Sequence, residues 1–522
     1  MPADDATAEA CQTTATAADL TRVVAQNLVD PLVLQPDLVA QTPLYVHWQP
    51  HQNVVTYGSD PVALLETVAP LTINQQGLSF LLQDGVIPPP ASIYQNVFIL
   101  SVGDQLTIRR SHDQKLKLTF TQHFPFSEQY KQHTVEQPYN ESRLLEQLVQ
   151  PLLNAGLNHT EHYLFHSAGK DSNYLALAMA EAGLGHLTQS VTYKARGPAD
   201  ESEIVAKLCK KLGFRHRSVT IPRHIKTPEQ KRVVDYFTMA PFPCTDNAAL
   251  LYPLIAPQLD SHCHIIDGMG NDIYIGHIPP AREYRLQTSA GLMKALHGLL
   301  PQGLLPLELE EQLRRTRAHR TGLSGLPHRT LTTFFPGQRD TRDFWLARDR
   351  EFGTADYLEF RARIRGGIID NERFIRKLRN AAAVNAWRLH LPWMDATVAH
   401  TVFHYPQPML FDRKRLRNKI FIRESLKTRL QLDSDQLGKK AFAFDYHGLQ
   451  QSMQKLVDAE VLACPYWDRK ELEPLYRQFW SDANSASTKS QINGAWIHRL
   501  FLISGWLNHC KYLEPATSII AP

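Results

Sequence analysis

The residues with the clearest chemical potential are His166-Ser167-Ala168-Gly169-Lys170-Asp171-Ser172, a small, polar turn after the apolar run Tyr163-Leu164-Phe165. The residues that follow, Asn173 through Ala180, suit a helix. A strand, a small-residue turn and a helix together aim several backbone amides and a helix N-terminus at one point, which suits an anion. Two hydroxyls and a carboxylate in the same turn suit a phosphate chain that arrives with a divalent cation. The turn is not a Walker loop, because Lys170 is followed by Asp171 where that loop has a hydroxyl. Taken alone, it is equally compatible with an ordinary strand-to-helix turn capped by Ser167 or Asp171.

A second acidic turn lies about a hundred residues further on, where His264-Ile265-Ile266-Asp267 runs into Gly268-Met269-Gly270-Asn271-Asp272. If both strands belong to one parallel sheet, both turns open on the same edge. Asp171 and Asp272 then converge on one magnesium ion beside a polyphosphate. One glycine turn with an aspartate cap is commonplace; two in register are less so.

The elements that must position these turns can be read from pattern. Leu44–Trp48, Asn53–Tyr57, Asn96–Val102 and Gln105–Ile108 are strand-like, so the region before the Gln-rich stretch 124–139 reads as mostly β. A helix is expected over 141–150, capped by Asn140 and bent or ended by Pro151. Strands at 187–193 and 217–221 alternate with helices ending near Gly183 and Gly213, the spacing of right-handed βαβ units. Beyond residue 280 helices are expected at 292–299, 307–319, 341–351, 355–364 and 371–388. The arginines of this stretch, among them Arg361, Arg363, Arg365, Arg373, Arg376 and Arg379, read as a solvated helical face, with part of it turned to the cleft as the alternative. The expected fold class is α/β: a parallel Rossmann-like sheet with a helical C-terminal part, and a smaller, mostly β N-terminal domain over 1–139.

Composition narrows the function. A formal charge of +4 on 522 residues offers no reason to expect a nucleic-acid partner. Six scattered cysteines without a C-x-x-C pair argue for a reducing compartment and against structural zinc. No apolar run approaches a membrane span, and Met1 to Leu20 carries acids but no basic residue, so a cytoplasmic protein is expected.

Ser167-Ala168-Gly169-Lys170-Asp171-Ser172 resembles the PP-loop, SGGxDS, of the ATP pyrophosphatases. Asp200-Glu201-Ser202, the turn ending in Asp272, Pro392-Trp393-Met394-Asp395, and Lys419 through Arg423-Glu424 follow it. Their order and rough spacing resemble DES, SGxGxDE, PFLD and K-x-x-x-R-E of the asparagine synthetase family. The resemblance covers about residues 140 to 445, and weakly 75 to 130; five dispersed motifs in order outweigh any one.

The resemblance implies an adenine nucleotide alpha hydrolase-like synthetase domain over 140–522 that uses ATP and Mg2+. It implies that Ser167, Ala168, Gly169, Lys170, Asp171 and Ser172, with Gly268 and Gly270, cradle the pyrophosphate, and that Asp171 and Asp272 hold magnesium. Val191 and Thr192 would border adenine through their backbone. Lys439-Lys440-Ala441-Phe442 resembles K-x-G-F with alanine for glycine. Lys439, with Lys440 its near rival, would stabilise charge during acyl transfer, a contribution on the order of 3 kcal/mol. The implied reaction joins a small-molecule or peptide carboxylate to an amine through an acyl-adenylate, with a biosynthetic partner protein as a further expectation.

Several residues depart from the family pattern. Glutamine-dependent members begin Met-Cys-Gly, whereas Met1 here precedes Pro2, and Cys11 lacks a following glycine. An inactive amidotransferase relative is therefore expected at the N-terminus, and an amine other than glutamine-derived ammonia, as in β-lactam synthetases and lasso-peptide cyclases. Met269 stands where asparagine synthetases have Glu and β-lactam synthetases Tyr, and a thioether cannot accept the amine proton. Ala168 replaces the first loop glycine, at a cost of roughly 1 to 2 kcal/mol if that position needs positive φ. Ammonia-dependent amidation and a catalytically degenerate nucleotide-binding partner are the alternatives.

Overall fold

A computed structural model describes residues 20–127, 136–195, 200–222, 224–288, 315–353, 356–437, 444–485 and 489–515. Toward the N-terminus lie β1 (Thr21–Val24), β2 (Leu32–Leu34), β3 (Leu44–Gln49), β4 (Val54–Gly58), β5 (Val97–Leu100), β6 (Asp104–Arg110) and β7 (Leu116–Gln122). They form two antiparallel sheets, ordered β1-β4-β3-β5 and β2-β6-β7. Strand alternation decides what faces inward. Leu106 and Ile108 of β6 are fully buried while Gln105 and Thr107 are half-exposed, and the buried pair joins Val46 and Val55 in one apolar cluster. The strands expected from sequence fall on β3 to β6.

The second part is built on β8 (His162–Phe165), β9 (Thr188–Tyr193), β10 (Arg215–Val219), β11 (His264–Asp267) and β12 (Arg388–His390). Their order is β10-β9-β8-β11-β12, with every neighbouring pair parallel. The helix Lys170–Glu181 connects β8 to β9, and Ser202–Leu212 connects β9 to β10. Leu164, Ile265 and Ile266 are fully buried, as expected of strands covered on both faces. After β8 the chain builds β9 and β10 on one side of it, then crosses to place β11 and β12 on the other. Adjacent connections therefore diverge at the carboxyl ends of β8 and β11, which leaves a crevice there.

The structure corrects the sequence reading in three places. Pro151 does not end its helix, which runs Glu141–Asn154, because Leu148, Val149 and Leu152 are buried around it and packing outweighs the lost hydrogen bond. The helix expected over 371–388 stops at Asn385, turns through Ala386 at φ 52°, and delivers Arg388–His390 into the sheet beside His264–Ile266. A three-residue strand is too short to show alternation. The arginines are not a solvated face. Arg361, Arg365, Arg373 and Arg376 are 9% exposed or less, held by Glu283, Asp370, the carbonyl of Gly322 and Glu372 respectively. The expected helix at 292–299, and most of that at 307–319, lie outside the described residues.

Packing is continuous across residue 139: Tyr45, Leu78 and Tyr94 share one apolar cluster with Leu164, Ile265 and Trp506. A β-bridge between Leu71 and Leu513 closes the same junction. No helix among the described residues is long and apolar enough to cross a membrane.

Candidate functional site

The two turns meet because β8 and β11 are neighbours in register, with Phe165 opposite Asp267. The chain leaves each strand at the same level, so His166–Gly169 and Gly268–Asn271 lie side by side at the sheet edge. The first turn is held by its own side chains. Ser167 Oγ accepts the Gly169 amide at 3.2 Å, and Ser172 Oγ lies 3.0 Å from the carbonyls of both Ser167 and Gly169. Asn173 Nδ2 donates to the same two carbonyls. Ala168 has negative φ, so the missing glycine costs no backbone strain. Gly169 opens the helix without a side-chain cap, which leaves that amide end for an anion.

Beneath the turn His166 is fully buried, and burial lowers its pKa to about 4. Asn173 Nδ2 is already donating, so its Oδ1 accepts from His166 Nε2 at 3.0 Å, and the neutral ring's Nδ1 accepts from Ser190 Oγ at 3.0 Å. Thr192 Oγ1 donates to the His166 carbonyl, and the His166 amide donates to Val191 O. Val191 and Thr192 therefore brace the turn, the Val191 carbonyl by accepting the His166 amide. The Ala168 amide donates to Glu201 Oε2 at 2.8 Å, so a carboxylate from the Asp200-Glu201-Ser202 motif sits on a loop amide.

The acidic pair converges, on a lysine. Lys419 Nζ lies 2.8 Å from Asp171 Oδ2, 2.7 Å from Asp272 Oδ1 and 2.7 Å from Asn271 Oδ1. Burial opposes its charge, yet Asp171 and Asp272 outweigh burial and hold its pKa above the ordinary value. Asn271 Nδ2 also donates to Asp171 Oδ1 at 2.9 Å. The other oxygen of Asp272 meets His277 Nε2 at 3.0 Å, and His277 in turn lies 3.5 Å from buried Asp370. Lys170, beside the pair, is pushed down to about 8 by burial and by Lys419.

The remaining motifs act as braces. Lys419 sits at φ 57° at the start of the helix Ile420–Leu430. One turn on, Arg423 Nε donates to the Asn418 carbonyl at 2.8 Å, and Asn418 Nδ2 donates to Gly276 O at 2.9 Å. Trp393 Nε1 donates to Asp171 O at 3.2 Å, and Asp395 caps its own helix through the amides of Thr397 and Val398. Gly268 and Gly270 serve close approach. A Cβ on Gly268 would lie 2.9 Å from the Ser172 amide, and one on Gly270, at φ 120°, would strike the Met394 side chain. Met269 is held by its amide, which donates to Asp267 Oδ1.

Thus Ser167, Ala168, Gly169, Lys170, Asp171, Ser172, Gly268, Gly270 and Asp272 are brought together, while Lys439 and Lys440 lie outside the described residues. Sequence reasoning placed Lys419, Glu201, His166 and Asn271 in its motifs without a role. The K-x-x-x-R spacing puts Arg423 one helical turn from Lys419 but carries no sign of the distant carboxylates that Lys419 meets. No group of three or more His, Cys, Asp or Glu able to hold a metal occurs among the described residues. Two carboxylates are nevertheless a sufficient protein donor set for magnesium that arrives with phosphate oxygens and keeps its waters. No protein-family model and no curated protein matches the chain.

Proposed function

We propose that this chain is an ATP- and Mg2+-dependent carbon–nitrogen ligase resembling the asparagine synthetases. It activates a substrate carboxylate as an acyl-adenylate, releases pyrophosphate, and passes the acyl group to an amine with release of AMP. The observation that carries the reading is the joint engagement of Asp171 and Asp272 by Lys419 beside the uncapped helix at Gly169. A Rossmann-like, adenine nucleotide alpha hydrolase-like sheet belongs to the same proposal.

In this reading the uncapped amides that open the helix after Gly169, the Lys170 side chain, and the Ala168 amide once Glu201 releases it receive the phosphate chain. Asp171 and Asp272 would hold magnesium, which supplies charge neutralisation at the phosphates. Lys419 shares its charge between the carboxylates and the incoming anion, and His277 with Asp370 keeps Asp272 oriented. Electrostatic positioning of this kind supplies most of the rate enhancement in transfers at phosphorus. A cavity of about 590 Å³ is bordered by Tyr274, Ile275, Gly276 and His277, the last of which meets Asp272. Phe126, Phe403 and Leu410 contribute apolar wall, and Glu136, Asp356 and Glu359 outnumber Arg413 there, which favours an amine on a bulky apolar body.

Exchange of labelled pyrophosphate into ATP with a panel of carboxylates tests the reading, together with direct ATP binding. Exchange is expected in the native chain, and its abolition in Asp171→Asn, Asp272→Asn and Lys419→Met. An active Asp171→Asn/Asp272→Asn double variant overturns the site. A second reading, a nucleotide-binding partner without turnover, is favoured by Met269 at the position of the family's base; ATP binding without exchange on any carboxylate selects it. Added glutamine is expected to yield no glutamate.

A further inference from the structure

A separate cavity of about 400 Å³ lies where the helix Ser490–His509 meets the segment around residues 315–342. Its described lining carries Arg315, His319, His328, Arg342 and Arg499 against one acid, Asp340. On the helix, Ile492, Trp496 and Arg499 are spaced four and three residues apart, so they share one face, and all three line the cavity. That face combines an apolar ring with a cation.

Arg499 is 6% exposed, and its Nη2 lies 3.5 Å from Ser324 Oγ while Nη1 donates to the Ser324 carbonyl. These partners are neutral, and a buried guanidinium held by neutral partners is costly unless a counter-charge approaches. Asp84, a fully buried acid that attracts this guanidinium, is shared with His319 at 3.1 Å. Burial, with Arg373 adding repulsion against the pull of Asp84, lowers the Arg499 pKa to about 9. Trp496 is fixed by donation from Nε1 to Gly325 O at 3.0 Å, so its ring is a rigid wall. At the rim Ile492 is 53% exposed, unusual for a large aliphatic side chain.

We propose that this cavity is a second ligand site, taking a small organic anion: one carboxylate or phosphate group on an aromatic or branched aliphatic body. The anion meets Arg315, Arg342 and Arg499, and the body lies against Trp496 and Ile492. The inference does not depend on the nucleotide reading of the Asp171 site, since the two share no lining residue.

Calorimetric titration of the full chain with phenyl phosphate tests it, with inorganic phosphate and benzyl alcohol as the charge-alone and ring-alone controls. One equivalent of phenyl phosphate is expected to bind at least tenfold more tightly than either control, undiminished by saturating Mg-ATP. Arg315→Glu and Ile492→Asp, both on the exposed rim and checked for unchanged melting, are each expected to weaken it tenfold or more. Absence of saturable binding, displacement by Mg-ATP, equal affinity for either control, or unchanged affinity in both variants would overturn the proposal.

Discussion

Lys419 is 1% exposed at its side chain, whereas the carboxylates it joins are 27% exposed for Asp171 and 29% for Asp272. The cation thus forms the floor of the site and the acids its open rim. Two carboxylates this close repel unless something positive lies between them, so the lysine stabilises the turns before any ligand arrives. A different residue reports on the N-terminal sheets. Asp104 is 2% exposed, and burial, partly offset by the Ser101 amide, raises its pKa from 3.8 to about 7. Unfolded, this carboxyl ionises near its ordinary value, so between about pH 4 and pH 7 the unfolded chain binds fewer protons than the folded one. Its contribution to stability therefore declines as pH rises through that window and is level above it. Asp104→Asn is expected to flatten that decline and to stabilise the chain at pH 8 by on the order of 2 kcal/mol, read from urea denaturation at several pH values.

At the scale of elements, the site depends on two strand-to-helix turns approaching at backbone distance. Gly268 lies against the first residues of the helix Lys170–Glu181, where a Cβ would come within 2.9 Å of Ser172 N. Gly183, at φ 75°, has nothing within 4 Å of its added Cβ. The two positions separate steric crowding from backbone strain. Gly183→Ala is expected to cost about 1 kcal/mol of stability and to leave nucleotide binding unchanged. Gly268→Ala is expected to cost roughly 1–3 kcal/mol and also to weaken ATP binding, because Asn271 and Asp272 are pushed away from Asp171. Equal ATP affinities in the two variants would show that the turns tolerate separation. The glycines were legible as a turn, but their close-packing role was not, since the neighbour that demands it lies about a hundred residues away.

Across the whole molecule, the 365–385 region ties the N-terminal sheets to the second part. Arg376 pairs with Glu372, reaches Tyr45 OH at 3.4 Å and lies 4.9 Å from the centroid of the Phe242 ring. Burial opposes its charge, and Glu372 more than compensates. Arg376→Met leaves Glu372 buried and unpaired and is expected to cost about 3–5 kcal/mol. The double variant with Glu372→Gln should recover much of that loss. A double variant no more stable than Arg376→Met alone would mean that the arginine acts by packing rather than by charge.

The sequence by itself determined the local frame: β8 and β11 as apolar runs, the turns after them, the helices closed by Gly183 and Gly213, and the pairing of Asp171 with Asp272. These features depend on near neighbours and on a single parallel-sheet argument. The tertiary structure alone decided the rest. A run of arginines looks solvated until the carboxylates and carbonyls that meet it are known, and most of those come from distant segments. β12 acquires its conformation from pairing with β11 rather than from its own three residues. Lys419 becomes the centre of the site because the helix it opens folds back across the sheet edge. No local spacing could reveal that the two carboxylates would share this buried ammonium.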